Sequence, residues 1–324
     1  MRLLVLGGTR FVGRAIVLDA LARGWEVTTL NRGLSGTADG EALTVDRTDP
    51  VALAEALQGR EFDVAVDTWA GAPRDVQRSA ALLAGTVGRF CYVSSMSVYV
   101  DGRPEGADDS WPVHEASASS EATEYGPDKR GGELAALEAF PDALLARCGL
   151  ILGPWENVGR LPWWLDRLSR GGRVVAPGRP GRGIQWLDVR DLAAWVLDGL
   201  AADRSGPFDL TSPVGHTTWG DILTACQVAT GSTAELVWLD QETVLASGAE
   251  PWTQLPIWVP EGGEWVGFME ADTSAAVASG LRSRDILGTA RDTWAWIAAE
   301  GLPVPPAHRP PPGLPTEIEV ALLG

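Results

Sequence analysis

A tyrosine and a lysine lie four residues apart in the segment YGPDK, at Tyr125 and Lys129. On a helix this spacing places both side chains on one face, and Pro127 would fall in the first turn, where proline costs little. A nearby ammonium group would lower the pKa of the phenol from about 10. Such a tyrosine could move a proton to or from a substrate oxygen, and the Ser95 hydroxyl in YVSSMSVY could hydrogen-bond the same oxygen.

A glycine-rich turn near the start of the sequence is typical of a phosphate-binding loop. Residues 4–13 read LVLGGTRFVG, an apolar run followed by glycines and by a helical pattern. The N–H groups at the start of such a helix attract a pyrophosphate, and the glycines allow a close backbone approach. Arg10 stands where a middle glycine is usual, so an ordinary strand–helix turn is the alternative. The predicted cofactor contacts in this turn are Gly7, Thr9, Arg10, Phe11, Val12 and Gly13.

The end of the second predicted strand favours NADP over NAD. NAD-binding proteins usually place an acidic residue there for the ribose 2′-hydroxyl, whereas this chain has Asn31 and Arg32. A guanidinium suits a 2′-phosphate, and Arg10 could supply a second cation. Alternatively, both arginines are simply solvated. Asp46 could accept a hydrogen bond from an adenine amino group, or it could cap the helix that follows.

Strand and helix patterns alternate over the first hundred residues, which predicts an α/β fold with a doubly wound, Rossmann-like parallel sheet. Beyond residue 155 the pattern is less regular and rich in tryptophan, which indicates a smaller C-terminal α/β substrate lobe. Residues 101–124 form a long polar loop that could be a lid, with His114 and Glu115, or could be disordered. The predicted strands are 2–6, 25–30, 42–45, 64–66, 90–93 and 143–147, and the predicted helices are 11–23, 50–57, 74–87 and 125–140.

The predicted domains are a Rossmann domain, residues 1–155 plus about 184–215, and a substrate lobe, residues 156–183 and 216–324, which ends in a proline-rich tail. The 324 residues carry 43 acidic and 26 basic side chains, a formal charge of −17, which argues against nucleic acid as a partner. No signal peptide, membrane span or metal-ligand spacing is visible. We expect a cytoplasmic protein that binds a small molecule, and a homodimer is possible.

Together these segments resemble the extended short-chain dehydrogenase/reductase family, also called the NAD-dependent epimerase/dehydratase family. The resemblance covers roughly residues 1–300 and rests on GGTRFVG, NRG, VDRTD, YVSSMSVY, YGPDK, RCGLILGP and IQWLDVRDLA. It implies that Ser95, Tyr125 and Lys129 form the catalytic triad and that Lys129 contacts the nicotinamide ribose. The GGTRF variant is most similar to a branch of bacterial reductase-like proteins with plastid RNA-associated relatives.

The remaining predicted contacts lie along the same motifs. At the cofactor we expect Asn31, Arg32, Asp46, Arg47, Thr68, Trp69, Ser94, Tyr125, Lys129, Gly149 and Ile151. At the substrate we expect Trp69, Met96, His114, Trp164 and Trp186, because the tryptophans would give the pocket apolar, stacking walls.

Two departures from the family pattern narrow the reaction. Nucleotide-sugar dehydratases of the family carry Asp-Glu after the catalytic serine, whereas this chain has Met96 and Ser97. Leu150 replaces an asparagine that holds substrate phosphate in nucleotide-sugar enzymes. The sequence therefore predicts an NADP(H)-dependent oxidoreductase acting on a carbonyl or secondary alcohol of a small organic molecule. The alternatives are a sugar or nucleotide-sugar epimerase with tightly bound NAD(P), and a non-catalytic NADP-sensing or RNA-associated protein.

Overall fold

Alternating strands and helices build the protein, and the computed structural model describes residues 1–34, 39–305 and 309–324. The strands in these ranges are β1 (Arg2–Leu6), β2 (Glu26–Asn31), β3 (Glu41–Thr44), β4 (Phe62–Asp67), β5 (Val87–Ser95), β6 (Leu144–Cys148), β7 (Ile151–Leu152), β8 (Arg173–Pro177), β9 (Leu187–Asp188), β10 (Gly206–Leu210) and β11 (Glu235–Leu239). The helices are α1 (Phe11–Ala22), α2 (Pro50–Leu57), α3 (Pro73–Leu83), α4 (Tyr125–Ala139), α5 (Arg160–Ser169), α6 (Val189–Ala201), α7 (Trp219–Thr230), α8 (Gln241–Ala246), α9 (Ser274–Ala278), α10 (Ile286–Glu300) and α11 (Thr316–Leu323).

Seven parallel strands form the main sheet, in the order β3-β2-β1-β4-β5-β6-β10. The chain winds outward in both directions from the β1–β4 pair, which confirms the predicted doubly wound, Rossmann-like fold. Ligands of such sheets bind where the strand order reverses, beyond the carboxyl ends of the strands. The ends of β1 and β4, at Leu6 and Asp67, therefore mark the expected cofactor position.

Most of the predicted elements agree with the structure to within a few residues, and α2 agrees at both ends. The predicted helix 74–87 is wrong at its C-terminal end, because α3 stops at Leu83 and β5 begins at Val87. Gly85, with a φ of 83°, adopts the left-handed conformation that commonly follows a helix end. The N-cap of α2 is Asp49, which accepts hydrogen bonds from the N–H groups of Val51 and Ala52. Asp46 is therefore not the cap of that helix.

The apolar side chains collect in three buried clusters. Two of them cover the two faces of the seven-stranded sheet, one with α1 and α6 and the other with α2, α3 and α4. The third cluster lies in the C-terminal half, where α5, α7 and α10 pack against one another and β8 packs against β11 and α11. This arrangement agrees with a sheet domain and a smaller lobe, and the predicted domain boundaries themselves stay a prediction.

The segment that contains the proline-rich tail leads to a helix rather than ending as irregular chain. Its described residues, 303–305 and 309–313, form neither helix nor strand, as predicted, and α11 follows. Arg167 of α5 binds Glu319 of α11 through Nε at 3.0 Å. Among the described residues, none of the helices has the length and apolar character that a bilayer crossing requires.

Candidate active site

Two cavities meet at Tyr125, the first residue of α4. One cavity, of about 640 Å³, lies over the glycine-rich turn and the ends of β1 and β2. The other, of about 660 Å³, lies between the end of β5 and the C-terminal half. Both volumes fall within the roughly 300–1,000 Å³ of small-molecule sites, and Tyr125 lines both. We call them the turn cavity and the outer cavity.

The glycine-rich turn has the tight geometry of a phosphate cradle. A Cβ atom on Gly13 would lie 2.5 Å from the backbone nitrogen of Gly8, and one on Gly7 would overlap the Thr68 hydroxyl. Arg10 has a φ of −134°, an extended value open to any residue, so a glycine is not required there. Instead Phe11 carries the unusual positive φ, 34°. In the part of the chain described by the structure, no side chain caps the start of α1, so these N–H groups suit a phosphate.

The outer end of the turn cavity carries two arginines. Arg10, Asn31 and Arg32 line it, and Asn31 Oδ1 accepts a hydrogen bond of 2.9 Å from the Gly33 N–H. Arg10 and Arg32 are exposed and form no ion pair with any described residue. Asp46 is exposed and accepts hydrogen bonds from Thr48, which lowers the pKa of its carboxyl. Its contact with an adenine stays a prediction.

A buried ion pair supports the inner wall of the turn cavity. Arg47 donates to both carboxylate oxygens of Asp67, at 2.6 and 2.7 Å, and its guanidinium lies 4.9 Å from the centre of the Trp69 ring. Thr68 and Trp69 line the same cavity. Trp69 lies on the turn cavity rather than on the outer one, and its Nε1 donates to the Ala72 carbonyl at 3.1 Å. Arg47 therefore orders the end of β4 at the wall of the turn cavity.

Ser95 and Tyr125 lie together at the base of the outer cavity. Ser95 ends β5, and its Oγ accepts a hydrogen bond of 3.1 Å from the Ser97 N–H. Tyr125 is 45% exposed. Desolvation of the phenol raises the pKa of Tyr125, while the neighbouring Ser95 hydroxyl acts in the opposite direction. We expected the pKa of Tyr125 to be lowered by Lys129, and this expectation is wrong because the pKa is raised. The phenol therefore keeps its proton at neutral pH.

Lys129 occupies a position different from the predicted one. Its ammonium group donates to the carbonyl oxygens of Trp69 and Val93, at 2.6 and 2.7 Å, and to the Tyr92 hydroxyl at 3.3 Å. The residue is 4% exposed, and burial lowers the pKa of Lys129 to about 8. Because an ammonium group has three donors, a contact with a nicotinamide ribose would require it to release one of these partners.

The predicted lid borders the outer cavity. His114 lines it, its backbone N–H donates to the Val98 carbonyl at 2.8 Å, and its ring lies against Gly126 of α4. Glu115 is exposed and does not line the outer cavity.

Of the other predicted contacts, Met96 and Gly149 line the outer cavity, whereas Ser94 is buried and donates to Glu133 at 2.8 Å. Ile151 is half-buried in β7.

Trp164 and Trp186 are core residues, so their prediction as substrate contacts is wrong. Trp164 is fully buried and Trp186 is 1% exposed, and both belong to the C-terminal cluster. Their indole N–H groups donate to the Pro256 carbonyl at 2.7 Å and to the Thr217 hydroxyl at 3.0 Å. Since their polar atoms have partners in the protein, neither ring is available to a ligand.

Sequence reasoning missed most of the residues that line the outer cavity, among them Arg160, Gln185, Thr211 and Arg309. Thr211 is 1% exposed, and its hydroxyl has no hydrogen-bond partner among the described residues. A buried orphan hydroxyl is costly unless a ligand or water satisfies it. Thr211 follows the edge strand β10, and the sequence carries no signal that this strand end reaches the cavity.

Several solved structures share the fold of this chain. Among solved structures, one described as a putative epimerase from Burkholderia cenocepacia J2315 superposes with a TM-score of 0.71 at 20% identity, covering 92% of this chain and 98% of that one. The Bordetella bronchiseptica enzyme WbmH in complex with NAD+ also gives 0.71, at 16% identity and 93% and 99% coverage. The UDP-glucose 4-epimerase of Thermus thermophilus, in complex with NAD, gives 0.65, at 19% identity and 93% and 100% coverage. At these identities the similarity establishes the fold.

Curated proteins include none that matches the chain. A family model described as NAD dependent epimerase/dehydratase family matches residues 3–208 of the chain. This match covers well over half of the sequence, including the glycine-rich turn and the Ser95, Tyr125 and Lys129 positions. The chain belongs to the NAD-dependent epimerase/dehydratase family.

Proposed function

We propose that the protein is an oxidoreductase that uses a nicotinamide dinucleotide to interconvert a carbonyl group and a secondary alcohol in a small organic molecule. The observation that carries this proposal is the position of Tyr125, which borders both cavities and shares the lining of the outer one with Ser95. The dinucleotide, when bound, supplies or accepts the hydride. The glycine-rich turn and the first turn of α1 would hold its phosphates.

The chain's own residues handle the proton and the oxygen. Because the pKa of Tyr125 is raised, its phenol is protonated at neutral pH and suits the role of proton donor to a substrate oxygen in the reducing direction. Ser95 Oγ would hydrogen-bond the same oxygen and orient it. Lys129 holds the carbonyl groups of Trp69 and Val93, and so it fixes the ends of β4 and β5 between which the substrate oxygen would lie.

The replacement Tyr125→Phe tests the proposal, because it removes the hydroxyl and keeps the ring. General acid–base help is worth roughly 10²–10⁴-fold, so turnover should fall by about that factor while cofactor affinity stays nearly unchanged. Turnover is followed by NADPH absorbance with a carbonyl compound that the wild-type protein reduces, and affinity by calorimetry. A Tyr125→Phe variant with wild-type turnover would remove the phenol from the mechanism.

For the cofactor we propose NADP, with NAD as the competing choice. Arg10 and Arg32 line the adenosine end of the turn cavity, and neither has an ion-pair partner within the described ranges. Two such cations favour a 2′-phosphate. The solved structures of similar fold, in contrast, are described with NAD.

The replacement Arg32→Asp should reverse this preference. It removes a cation and adds an acceptor for a ribose hydroxyl, so affinity for NADP should fall by about tenfold or more relative to NAD. The ratio of the two dissociation constants, from calorimetry, measures the shift. Arg291→Asp is the matched control, since this exposed arginine of α10 lines neither cavity. An unchanged ratio would disprove the 2′-phosphate contact.

An epimerase is the second candidate, favoured by the family match and by the epimerases among the similar structures. Epimerisation uses the same tyrosine but returns the hydride to its substrate, so it produces no net redox change. Steady loss of NADPH absorbance with substrate supports the oxidoreductase. Inversion of a secondary alcohol without absorbance change, with cofactor retained on purification, supports the epimerase instead.

A further inference from the structure

Two arginines that the proposed mechanism does not use face the outer cavity beside Tyr125. Arg160 is the first residue of α5, and Arg309 belongs to the proline-rich tail. Both line the outer cavity, and Arg309 also lines the turn cavity. The protein has a formal charge of −17. The placement of two neighbouring cations at the junction of the two cavities therefore needs a physical explanation.

Arg160 is held in place but retains free donors. Its guanidinium lies 5.3 Å from the centre of the Trp252 ring, and its Nη1 has one long contact of 3.5 Å with Glu156 Oε1. Glu156 accepts shorter hydrogen bonds from the N–H groups of Arg160 and Leu161, at 2.9 and 3.1 Å, so its carboxylate mainly caps α5. Within residues 1–34, 39–305 and 309–324, Nε and Nη2 of Arg160 donate to no protein atom.

The tail brings Arg309 to the start of the same helix. The prolines that follow Arg309 stiffen the segment, and a Cβ atom on Gly159, the N-cap of α5, would lie 3.3 Å from Pro312 Cγ. The N–H of Gly313 donates to the Thr253 carbonyl at 3.4 Å. Arg309 is exposed and forms no ion pair with any residue that the structure describes.

The two guanidinium groups affect each other and the phenol. Burial lowers the pKa of Arg160, and Arg309 lowers it further by repulsion. Both cations also lower the pKa of Tyr125, against the larger effect of desolvation. Three carboxylates also line the cavity: Asp101, Glu124 and Glu264. Among the described residues, none of the three forms a hydrogen bond or an ion pair with Arg160 or Arg309. An anion between the two would relieve their repulsion.

We propose that Arg160 and Arg309 bind an anionic group of the substrate, a carboxylate or a phosphate, next to the carbonyl or alcohol carbon that faces Tyr125. The inference rests on the proposed function only in taking the outer cavity as the substrate cavity. Arginine forks match carboxylate and phosphate oxygens in pairs, so the substrate class becomes an oxo or hydroxy compound that carries an acid group.

A binding experiment tests the site without turnover. Malonate and inorganic phosphate are the anionic probes, and malonamide is the uncharged control of similar shape, each titrated calorimetrically into the protein saturated with NADP. Malonate should bind, and malonamide should bind at least about tenfold more weakly. Arg309→Gln and Arg160→Gln should each weaken malonate binding by about tenfold or more, whereas Arg291→Gln should not change it. Arg309 is exposed, so its variant should fold even if that of Arg160 does not.

The remaining outcomes separate this site from the cofactor's phosphates and from the proposed function. Equal binding of malonate and malonamide, or wild-type malonate binding by Arg309→Gln and a folded Arg160→Gln, overturns the proposal. Malonate binding that appears only without NADP assigns the arginines to the cofactor's phosphates and also overturns it. Malonate binding that persists with NADP, in a protein that reduces no carbonyl compound, supports the anion site and refutes the oxidoreductase.

Discussion

Lys129 is the only lysine in the sequence, and the protein buries it. The other cationic side chains are arginines, which stay charged in any protein environment. Lysine is the cation whose pKa responds to burial, and here burial lowers it to about 8. At this position the chain therefore keeps a lysine, whose charge, unlike that of an arginine, can change near physiological pH.

A lysine titration should confirm this shift directly. With one lysine, protein labelled at lysine Cε gives a single NMR signal, and its midpoint should lie near pH 8 rather than about 10.4. The charged form should predominate below that pH, and the charge should be lost as pH rises through it. Lys129→Met supplies the assignment control, because its spectrum should lack the signal. A midpoint above 10 would contradict the buried position.

At the scale of elements, buried charges tie the lid to the sheet and to α4. The Tyr99 ring lies between two guanidinium groups, with Arg103 at 4.2 Å and Arg147 at 5.0 Å from its centre. Arg103 of the lid pairs with Asp209 of β10 and also donates to the Ala107 carbonyl at 2.7 Å. Arg147 of β6 binds Glu133 of α4. The long loop is thus held by these side chains together with backbone hydrogen bonds, such as that from the Gly106 N–H to the Glu270 carbonyl at 2.7 Å.

Arg103→Met should release the lid. The variant keeps the aliphatic stem but leaves Asp209 buried without its cation, and breaking a buried ion pair costs about 3–5 kcal/mol. Part of that cost can be avoided if the loop opens. We therefore expect hydrogen exchange to accelerate in residues 101–112 more than in α4, measured by mass spectrometry. Arg74→Met is the control, since Arg74 pairs with Glu121 at the surface. Equal protection of the lid in wild type and Arg103→Met would show that this tie is dispensable.

Local patterns predicted the elements well because they depend on near neighbours. The alternation of apolar strands and helices gave the sheet, and Tyr125 begins a helix that contains Lys129, as the spacing indicated. The positions of individual side chains depend on partners that are distant in the sequence, so they were harder to predict. Trp164 donates to Pro256, Trp186 donates to Thr217 and Lys129 donates to Trp69. In each pair the two residues are far apart in the sequence. The assignment to the GGTRF-type branch stays a prediction.

At the scale of the whole molecule, the C-terminal cluster contains tryptophans that pack edge to face. The Trp164 ring meets Trp163 and Trp219 edge to face, with centroids 4.6 and 5.1 Å apart. Such pairs add roughly 0.5–1.5 kcal/mol beyond the area they bury. Because α5 carries Trp164 and also begins with Arg160, the packing of this cluster sets the position of the outer cavity.

Trp164→Ala should destabilise the protein by about 3–5 kcal/mol, the usual cost of truncating a buried tryptophan. Denaturant unfolding measures the change. Trp111→Ala is the control, because this lid tryptophan is only half-buried and its loss should cost much less. A substrate contact would instead change affinity without changing stability, so wild-type stability in Trp164→Ala would restore the original assignment.

The edge strand β10 bears on how copies of the chain could associate. The Gly206 N–H points to β6, where it donates to the Ala143 carbonyl, so the next residue, Pro207, faces the open side and offers no donor. A strand from a second molecule would find an interrupted row of hydrogen bonds there. We therefore expect the sheet not to grow across this border, so a homodimer, if one forms, would use another surface.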